Sequence, residues 1–460
     1  MPKANSDLYT DTICAIATPR GVGGVGIIRI SGPLTKTISA AIIGEVPPAR
    51  YAFYSTFLDN NNKIIDKGLS LFFPAPNSFT GEDVIEFQAH GGPIILDQLM
   101  QTIVSCGARI ANPGEFSQRA FLNNKIDLTQ AEAIADLIES HSSVAAQYAL
   151  RSLQGEFSSL INSLVSSVIE LRVFVEAAID FPEEEIDFLA SDQVKNKLSS
   201  LIHGLDKILA QAKTGCILRD GFSIVIIGEP NAGKSSLLNL FSGQSSAIVT
   251  DIPGTTRDTL KEFINLDGLP VHIIDTAGLR ESTDPVEQEG MKRTWDAIKK
   301  ADHILLLTDS NKHFDDQSAM WQNLVTEIPT LEKITLVNNK IDLNEQQAGI
   351  NFDKKLGVYS VSVSVLKKNG IENLISHLKG MAGFSLIEEG GFIARRRHIN
   401  ALNRARSSLI NAQEQLLQYR AGELLADELN QAQQSLNEIT GEFSSDDLLG
   451  EIFSSFCIGK

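Results

Sequence analysis

Cysteine is scarce and scattered in this chain. Its four cysteines, Cys14, Cys106, Cys216 and Cys457, lie far apart, with no CxxC pair and no matching histidine spacing. Neither a zinc site nor a disulfide framework is indicated, and reduced thiols are expected. Long apolar runs are also missing. Stretches such as FSIVIIG and HILLLTD fall far short of the roughly 20 residues that span a bilayer, so no transmembrane helix and no membrane partner are expected. The opening MPKANSDLYTDTIC has no apolar signal core, which predicts a cytoplasmic protein. Basic charge is in deficit, with 40 Lys and Arg against 57 Asp and Glu and a formal net charge of −17. That balance excludes non-specific binding of nucleic acid over the whole surface, and any RNA contact must be local.

What is present is an ordinary globular composition, 43% hydrophobic and 21% charged over 460 residues, long enough for two to four domains. The first 120 residues read as mixed α/β, with the β-rich stretches VGIIRIS, GLSLFFP and VIEFQAH separated by Gly and Pro signals. From LTQAEAIADLIESH to VIELRVFVEAAIDF, apolar residues recur at helical spacing without breakers. In DFPEEEIDF, Pro182 suits a first helical position, and Glu183, Glu184 and Glu185 suit the positive end of a helix dipole better than a metal site. From about residue 218 the pattern changes to buried strands alternating with helices (FSIVIIG, VHIIDTAG, HILLLTD, ITLVNNKID, VYSVSV), which predicts a parallel sheet with crossover helices. After GGFIARRRH the helical pattern returns, with Ile399, Leu402, Ala405, Leu409, Ala412 and Leu416 on one face. The expected architecture is multidomain α+β and α/β. Residues 1–120 form an N-terminal domain, 121–217 and 383–460 are two halves of one helical domain, and 218–382 form an α/β domain inserted between them.

GEPNAGKS, Gly228 to Ser235, is a G-x-x-x-x-G-K-S loop between an apolar strand and the helical KSSLLNLF. Such a loop wraps phosphates with the N–H groups of Asn231, Ala232 and Gly233 and those of Ser235 and Ser236 behind it. Lys234 then reaches the β/γ-phosphates and the Ser235 hydroxyl ligates Mg²⁺. DTAG, Asp275 with Thr276, Ala277 and Gly278, follows VHIID and offers a carboxylate to the Mg²⁺ shell and an N–H to the γ-phosphate. NKID, Asn339 with Lys340 and Asp342, resembles the guanine-reading segment of the Ras-like GTPases. The Asp342 carboxylate accepts from the N1–H and exocyclic amine of guanine, a donor pair adenine lacks, so GTP is preferred over ATP. SVL, Ser364 with Val365 and Leu366, stands where those GTPases carry Ser-Ala-Lys, and the Val365 N–H is expected to meet the guanine oxygen. In AIVTDIPGTTRD, Thr255 or Thr256 supplies a hydroxyl to Mg²⁺ and the γ-phosphate, with Thr255 preferred. Leu279 occupies the place of the water-orienting glutamine of Ras, which leaves Glu281, Asp284 and Glu287 as candidates for that work.

These motifs occur together with ATPRGVGGVGIIRISG, FPAPNSFTGEDVIEFQAHGG and the terminal FCIGK. The set resembles the MnmE (TrmE) family of tRNA-modification GTPases from about residue 11 to Lys460. The resemblance implies a tetrahydrofolate-binding N-terminal domain that also dimerises, a helical domain, and a Ras-like G domain inserted in it. It implies a homodimer that works with an FAD-dependent partner, MnmG, to place an aminomethyl or carboxymethylaminomethyl group on carbon 5 of the wobble uridine of certain tRNAs. The one-carbon unit comes from 5-formyl- or 5,10-methylene-tetrahydrofolate. It further implies that K⁺, held by Asn231 and the loop around Thr250, Ile252 and Thr255, does the work of an arginine finger, and that Glu287 orients the attacking water. Thr250 thereby also joins the GTP site. The folate site maps onto Arg29, Glu86, Lys125 and Lys460, a carboxylate for the pterin donors and basic groups for the glutamate tail. Cys457 is expected to face the wobble base, as a nucleophile toward carbon 6 or as its neighbour.

The rival reading is a GTPase switch for ribosome assembly without RNA chemistry. It calls for an RNA-reading GXXG module after the G domain, which the sequence does not show. A second rival is a folate-dependent aminomethyl carrier with a regulatory GTPase, which leaves FCIGK unexplained. The best local patch for tRNA is Arg395, Arg396, Arg397 and His398, followed by Arg404 and Arg406, though the same cluster also reads as a solvated helix start.

Overall fold

The computed structural model describes residues 11–19, 21–140, 142–180, 192–244, 261–275, 295–311, 318–328, 330–344, 346–384, 391–419, 421–442, 446–454, 456 and 459. The chain forms two compact units. One comprises Met1–Ile138, Ser152–Ile202 and Arg404–Lys460, the other Glu139–Arg151 and His203–Asn403. Pro182 and Glu183 to Glu185 lie outside the described residues.

The first unit holds a six-stranded sheet in the order β3-β4-β5-β2-β1-β6. Its strands are β1 (Ile13–Ile16), β2 (Gly23–Ser31), β3 (Phe53–Leu58), β4 (Ile64–Phe73), β5 (Val84–Gly91) and β6 (Arg109–Ile110). Only β1 and β6 run parallel. The strands alternate in burial, as a sheet with one packed face requires. Ile28, Ile30, Phe57, Phe72, Ile85 and Phe87 form a core with Ile38 and Ile42 of α1 (Thr35–Ile43) and Leu96, Leu99 and Ile103 of α2 (Pro93–Ser105). The other face is covered only in part. Phe116 of α3 (Glu115–Leu122) packs on Ile13 and Ala15, whereas Tyr54 on β3 is exposed.

Helices α4 (Leu128–Ile138), α5 (Ser143–Leu153), α6 (Glu156–Asp180) and α7 (Asp192–Asp220) follow, and α11 (Arg396–Glu414), α12 (Gly422–Thr440) and α13 (Asp446–Ser454) complete the chain. The helical pattern expected on both sides of the α/β insert is therefore observed. Leu402, Ala405, Leu409, Ala412 and Leu416 are buried and Ile399 half-buried. By length and hydropathy α6 could cross a membrane, contrary to what its shorter apolar runs predict. It nevertheless buries one stripe, Phe157, Ile161, Val165, Val168, Leu171 and Val175, at the three- and four-residue spacing of an amphipathic helix. Arg172 on α6 donates to Asn430 Oδ1 (2.8 Å) and Gln433 Oε1 (2.7 Å) of α12. At the end of the chain, Ile452, Phe453 and Phe456 form a cluster with Leu128 and Phe121, which draws the C-terminal segment onto α3 and α4.

The second unit holds a seven-stranded sheet in the order β12-β13-β11-β10-β7-β9-β8. Its strands are β7 (Phe222–Gly228), β8 (Lys261–Leu266), β9 (Leu269–Asp275), β10 (His303–Asp309), β11 (Ile334–Asn339), β12 (Gly349–Asp353) and β13 (Val358–Ser362). The five strands expected from sequence run parallel. Strands β8 and β12 are antiparallel additions at the two edges. The β8–β9 hairpin turns on Asp267 (φ 45°) and Gly268 (φ 94°), a pair suited to the type I′ turn that matches strand twist. Helices α8 (Lys234–Gln244), α9 (Ala319–Glu327) and α10 (Ile371–Met381) belong to the same unit.

Candidate functional site

The phosphate loop begins where β7 ends and leads directly into α8. Asn231 (φ 63°) and Gly233 (φ 103°) take left-handed backbone, which turns successive N–H groups toward one point and forms a nest for an anion. Gly233 is required sterically as well, since a Cβ there would stand 2.2 Å from Asn339 Nδ2. The Lys234 ammonium donates to the carbonyls of Gly228 (2.8 Å) and Glu229 (2.9 Å). Asn231, Ser235 and Ser236 are exposed and Ala232 is buried.

Asn339 joins three segments. Its Nδ2 donates to the Ala232 carbonyl (2.8 Å), while its Oδ1 accepts from the N–H groups of Lys340 (2.8 Å) and Val365 (3.1 Å). The phosphate loop, NKID and SVL are thus one assembly. The Val365 N–H, expected to face the guanine oxygen, instead donates to Asn339. The Ser364 hydroxyl donates to Asp342 Oδ1 (2.5 Å) and accepts from the Lys367 N–H (3.1 Å), which orients the carboxylate assigned to the base. Lys340 Nζ donates to Asp309 Oδ2 (2.7 Å). The Lys340 hydrogen bond holds the Asp309 carboxyl below the usual carboxylate range. Sequence reasoning missed Asp309, whose signal was an aspartate at the C-terminal end of a parallel strand, where α/β sheets bind ligands.

The backbone of Asp275 ends β9. Thr250, Ile252, Thr255, Thr256, Thr276, Ala277, Gly278, Leu279, Glu281, Asp284 and Glu287 lie outside the described residues. Among the described residues no group of three His, Cys, Asp or Glu side chains forms a metal cluster. The phosphate nest and the Ser235 hydroxyl beside it fit a nucleotide with its Mg²⁺, in which the phosphates themselves supply oxygen ligands.

On the N-terminal sheet, Arg29 and Glu86 are cross-strand partners on β2 and β5. Arg29 Nε donates to Glu86 Oε1 at 2.8 Å, and both side chains are partly exposed, at 22% and 16%. The Arg29 guanidinium lies 5.8 Å from the ring centres of Phe79 and Phe116, within cation–π range. Its Nη1 donates to the carbonyl of Gly459 at 3.4 Å. Gly459 (φ 98°) fits because it lacks a Cβ, which would meet the Ile16 carbonyl at 2.5 Å. The exposed Lys125 donates to the Pro76 carbonyl (2.9 Å), in the loop that carries Phe79. Arg29, Glu86 and the tail therefore meet, with Lys125 reaching the same loop. Cys457 and Lys460 lie outside the described residues. The partly exposed Arg29–Glu86 pair beside the exposed Phe79 ring fits a flat heterocycle bearing N–H donors and a carboxylate tail.

The same unit holds a charge network absent from the sequence reading. Arg119, fully buried, donates to Glu82 Oε1 (3.1 Å), Asp11 Oδ1 (2.8 Å) and Glu115 Oε1 (3.1 Å). Arg109 donates to Glu115 Oε1 (2.7 Å) and Asp11 Oδ2 (2.8 Å). Burial acts to raise the Glu115 carboxyl, but the bonds from Arg109, the Asn112 N–H and Arg119 override it and hold the group below its usual range. The i, i+4 pair Glu115–Arg119 was the available signal, but Asp11 and Glu82 come from distant sequence.

Two thiols, Cys14 and Cys216, are buried. Burial pushes Cys14 up to about 11, and burial with the nearby Asp220 carboxylate pushes Cys216 up to about 12. The proposed RNA patch is smaller than its sequence suggests. His398 is buried and accepts from the Arg395 N–H (3.0 Å), while the exposed Arg404 pairs with Glu438 and the exposed Arg396 lies 3.9 Å from Asp220.

Two family profiles match the chain: the GTP-binding protein TrmE N-terminus over residues 12–125 and the MnmE helical domain over residues 128–457. The tRNA modification GTPase MnmE of Marinomonas sp. (strain MWYL1) is 55% identical over 451 residues, 98% of each chain. That of Proteus mirabilis (strain HI4320) is 54% identical over 454 residues, 98% of this chain and 99% of its own. Among solved structures, the G domain of the T. maritima FeoB iron transporter covers 35% of this chain and 98% of its own, at 23% identity and a TM-score of 0.27, a likeness too low to bear on function. With profile matches across nearly its whole length and relatives at more than half identity, this chain belongs to the MnmE (TrmE) family of tRNA modification GTPases, enzymes that hydrolyse GTP.

Proposed function

We propose that this chain hydrolyses GTP in a K⁺-dependent manner and, as a homodimer in the cytoplasm with the FAD-dependent partner MnmG, installs an aminomethyl-type group on carbon 5 of wobble uridines in certain tRNAs. The observation that carries this reading is the Gly459 carbonyl on Arg29, which draws the FCIGK tail to the residues assigned to the folate. The division of labour follows the boundaries 1–120 for folate and dimerisation, 121–217 and 383–460 for the helical domain, and 218–382 for the G domain.

In the G domain, Lys234 and the N–H groups of the phosphate loop bind the phosphates, Ser236 among them. Asn339 fixes the loop against NKID, and Asp342, oriented by Ser364, reads the guanine edge. Ser235, Thr255 or Thr256 and Asp275 hold Mg²⁺, and Asn231 with the Thr250, Ile252 and Thr255 loop holds K⁺. Thr276, Ala277 and Gly278 border the γ-phosphate, and Glu287 orients the water. The two cations supply positive charge where charge develops in phosphoryl transfer. In the N-terminal domain, Glu86 accepts from the pterin N–H groups, and Arg29, Lys125 and Lys460 hold the glutamate tail of a 5-formyl- or 5,10-methylene-tetrahydrofolate, which supplies the one-carbon unit. Cys457 adds to carbon 6 of uracil and so activates carbon 5.

Mass spectrometry of tRNA nucleosides tests the reading. Cells carrying Cys457→Ser should lose the wobble modification while the purified variant hydrolyses GTP at the parent rate; full modification would remove Cys457 from the chemistry. An unchanged nucleoside profile on deleting the gene would favour the ribosome-assembly switch. For the cation, hydrolysis should run at least tenfold faster in K⁺ than in Na⁺, and equal rates would take Asn231 out of its role.

A further inference from the structure

We propose that Asp309, at the end of β10, is a positioning residue for guanine recognition, which captures the Lys340 ammonium and so leaves the Asp342 carboxylate to the base. The inference rests on the reading of NKID as the guanine site.

Lys340 stands in left-handed backbone at φ 66°, a conformation that a non-glycine residue adopts at a cost of about 1–3 kcal/mol. Two residues on is Asp342, whose oxygens must accept from two N–H donors of the base. A free lysine ammonium is a mobile cation on four rotatable bonds, and within one turn of chain the closest competitor for it is that same carboxylate. Asp309 removes the competition. Its Oδ2 takes Lys340 Nζ at 2.7 Å, while its Oδ1 accepts from the N–H and the side-chain amide of Asn311, both at 3.1 Å. The aspartate is therefore fixed before it holds the lysine.

The backbone ties the two segments in the same sense. The Ser310 N–H donates to the Asn339 carbonyl (2.8 Å), and Asn344 Nδ2 donates to the Ser310 carbonyl (3.0 Å). The turn after β10 and the NKID segment thus grip each other on both sides of Lys340. As a stabilising ion pair the contact counts for little. Lys340 is 32% exposed and Asp309 18%, and such pairs contribute on the order of 1 kcal/mol or less to folding. The effect belongs in nucleotide affinity, through preorganisation.

The test is a double-mutant cycle on the full chain, with a fluorescent methylanthraniloyl-GDP as probe. Asp309→Ala should raise the Kd about tenfold, equivalent to about 1.4 kcal/mol, and in steady-state hydrolysis the change should fall on KM rather than kcat. Asp309→Asn, which keeps an acceptor for Asn311, should lie between parent and alanine. In a Lys340→Ala background, Asp309→Ala should add less than twofold, because the lysine it restrains is gone. An unchanged Kd in Asp309→Ala, or effects that multiply, would overturn the proposal; a merely structural aspartate gives the second result. Asp342→Asn separates the two levels of the argument. If it moves preference from guanine to xanthine nucleotides while Asp309→Ala does nothing, the clasp alone fails. If it leaves GDP binding intact, the guanine reading fails and takes the clasp with it.

Discussion

The two sheets expose chemistry in opposite ways. In the second unit the central parallel strands β7, β10 and β11 are largely buried, so candidate functional groups gather where strands stop: the phosphate loop after β7, Asp275 at the end of β9, Asp309 at the end of β10, NKID at the end of β11, and Ser364 beyond β13. Strand ends at a common edge form a crevice by topology alone. In the first unit the antiparallel sheet keeps one face partly open, and its groups stand on the face itself, Arg29 opposite Glu86. A site at strand ends is held by backbone hydrogen bonds. A site on a face depends on the sheet that carries it, and in the same unit the Arg119 network braces Glu82, Asp11 and Glu115.

The sharpest way to break this contrast is at Arg119. Arg119→Leu leaves Glu115, Glu82 and Asp11 without their shared buried partner and should destabilise the first unit by roughly 3–5 kcal/mol. Urea unfolding followed with a probe in each unit should show the loss there, with GDP affinity unchanged. Equal destabilisation of both units would mean that the braces are not local.

A smaller effect should appear on acidification. Burial, with nearby His377 and Lys333, lowers His303 from its ordinary 6.5 to about 3. It stacks on Phe222 and shares the Thr335 hydroxyl with His377, at 2.8 Å each. The folded state keeps it neutral, so between those pH values the unfolded chain binds more protons. The second unit should therefore lose up to a few kcal/mol as pH falls from 6.5 toward 3. The first unit, whose Glu115 and Asp11 sit below their usual range, should hold until pH falls below about 4. Unfolding midpoints measured from pH 7.5 to 4.5 check this, and parallel declines would erase the distinction.

The strand-end site was the more legible of the two. GEPNAGKS and NKID carry their chemistry in adjacent residues, and the strands that bear them are continuous apolar runs. The edge strands β8 and β12 were not read from the sequence, since β12 is largely exposed and lacks that signal; the adjacent Asp267 and Gly268 were the available mark of the β8–β9 hairpin. The face site was legible only through resemblance. Arg29, Glu86 and Lys125 are ordinary charges in sequence, and cross-strand register brings the first two together. Asp309 and Arg119 were missed because their partners come from other segments, so their meaning exists only after folding.

The Gly459 carbonyl on Arg29 joins residues 430 positions apart, and this imposes an order in time. At a synthesis rate of about 5–20 residues per second, Arg29 emerges roughly 20–90 s before Gly459 is made. During that interval the sheet can form and Arg29 can pair with Glu86, so the charges wait already satisfied. The last turn of the chain then closes a site laid down by the first strands. A product cut short by premature termination can carry a folded N-terminal sheet and an intact nucleotide domain and still lack the closed Arg29 corner, so GTP hydrolysis alone would not reveal the defect.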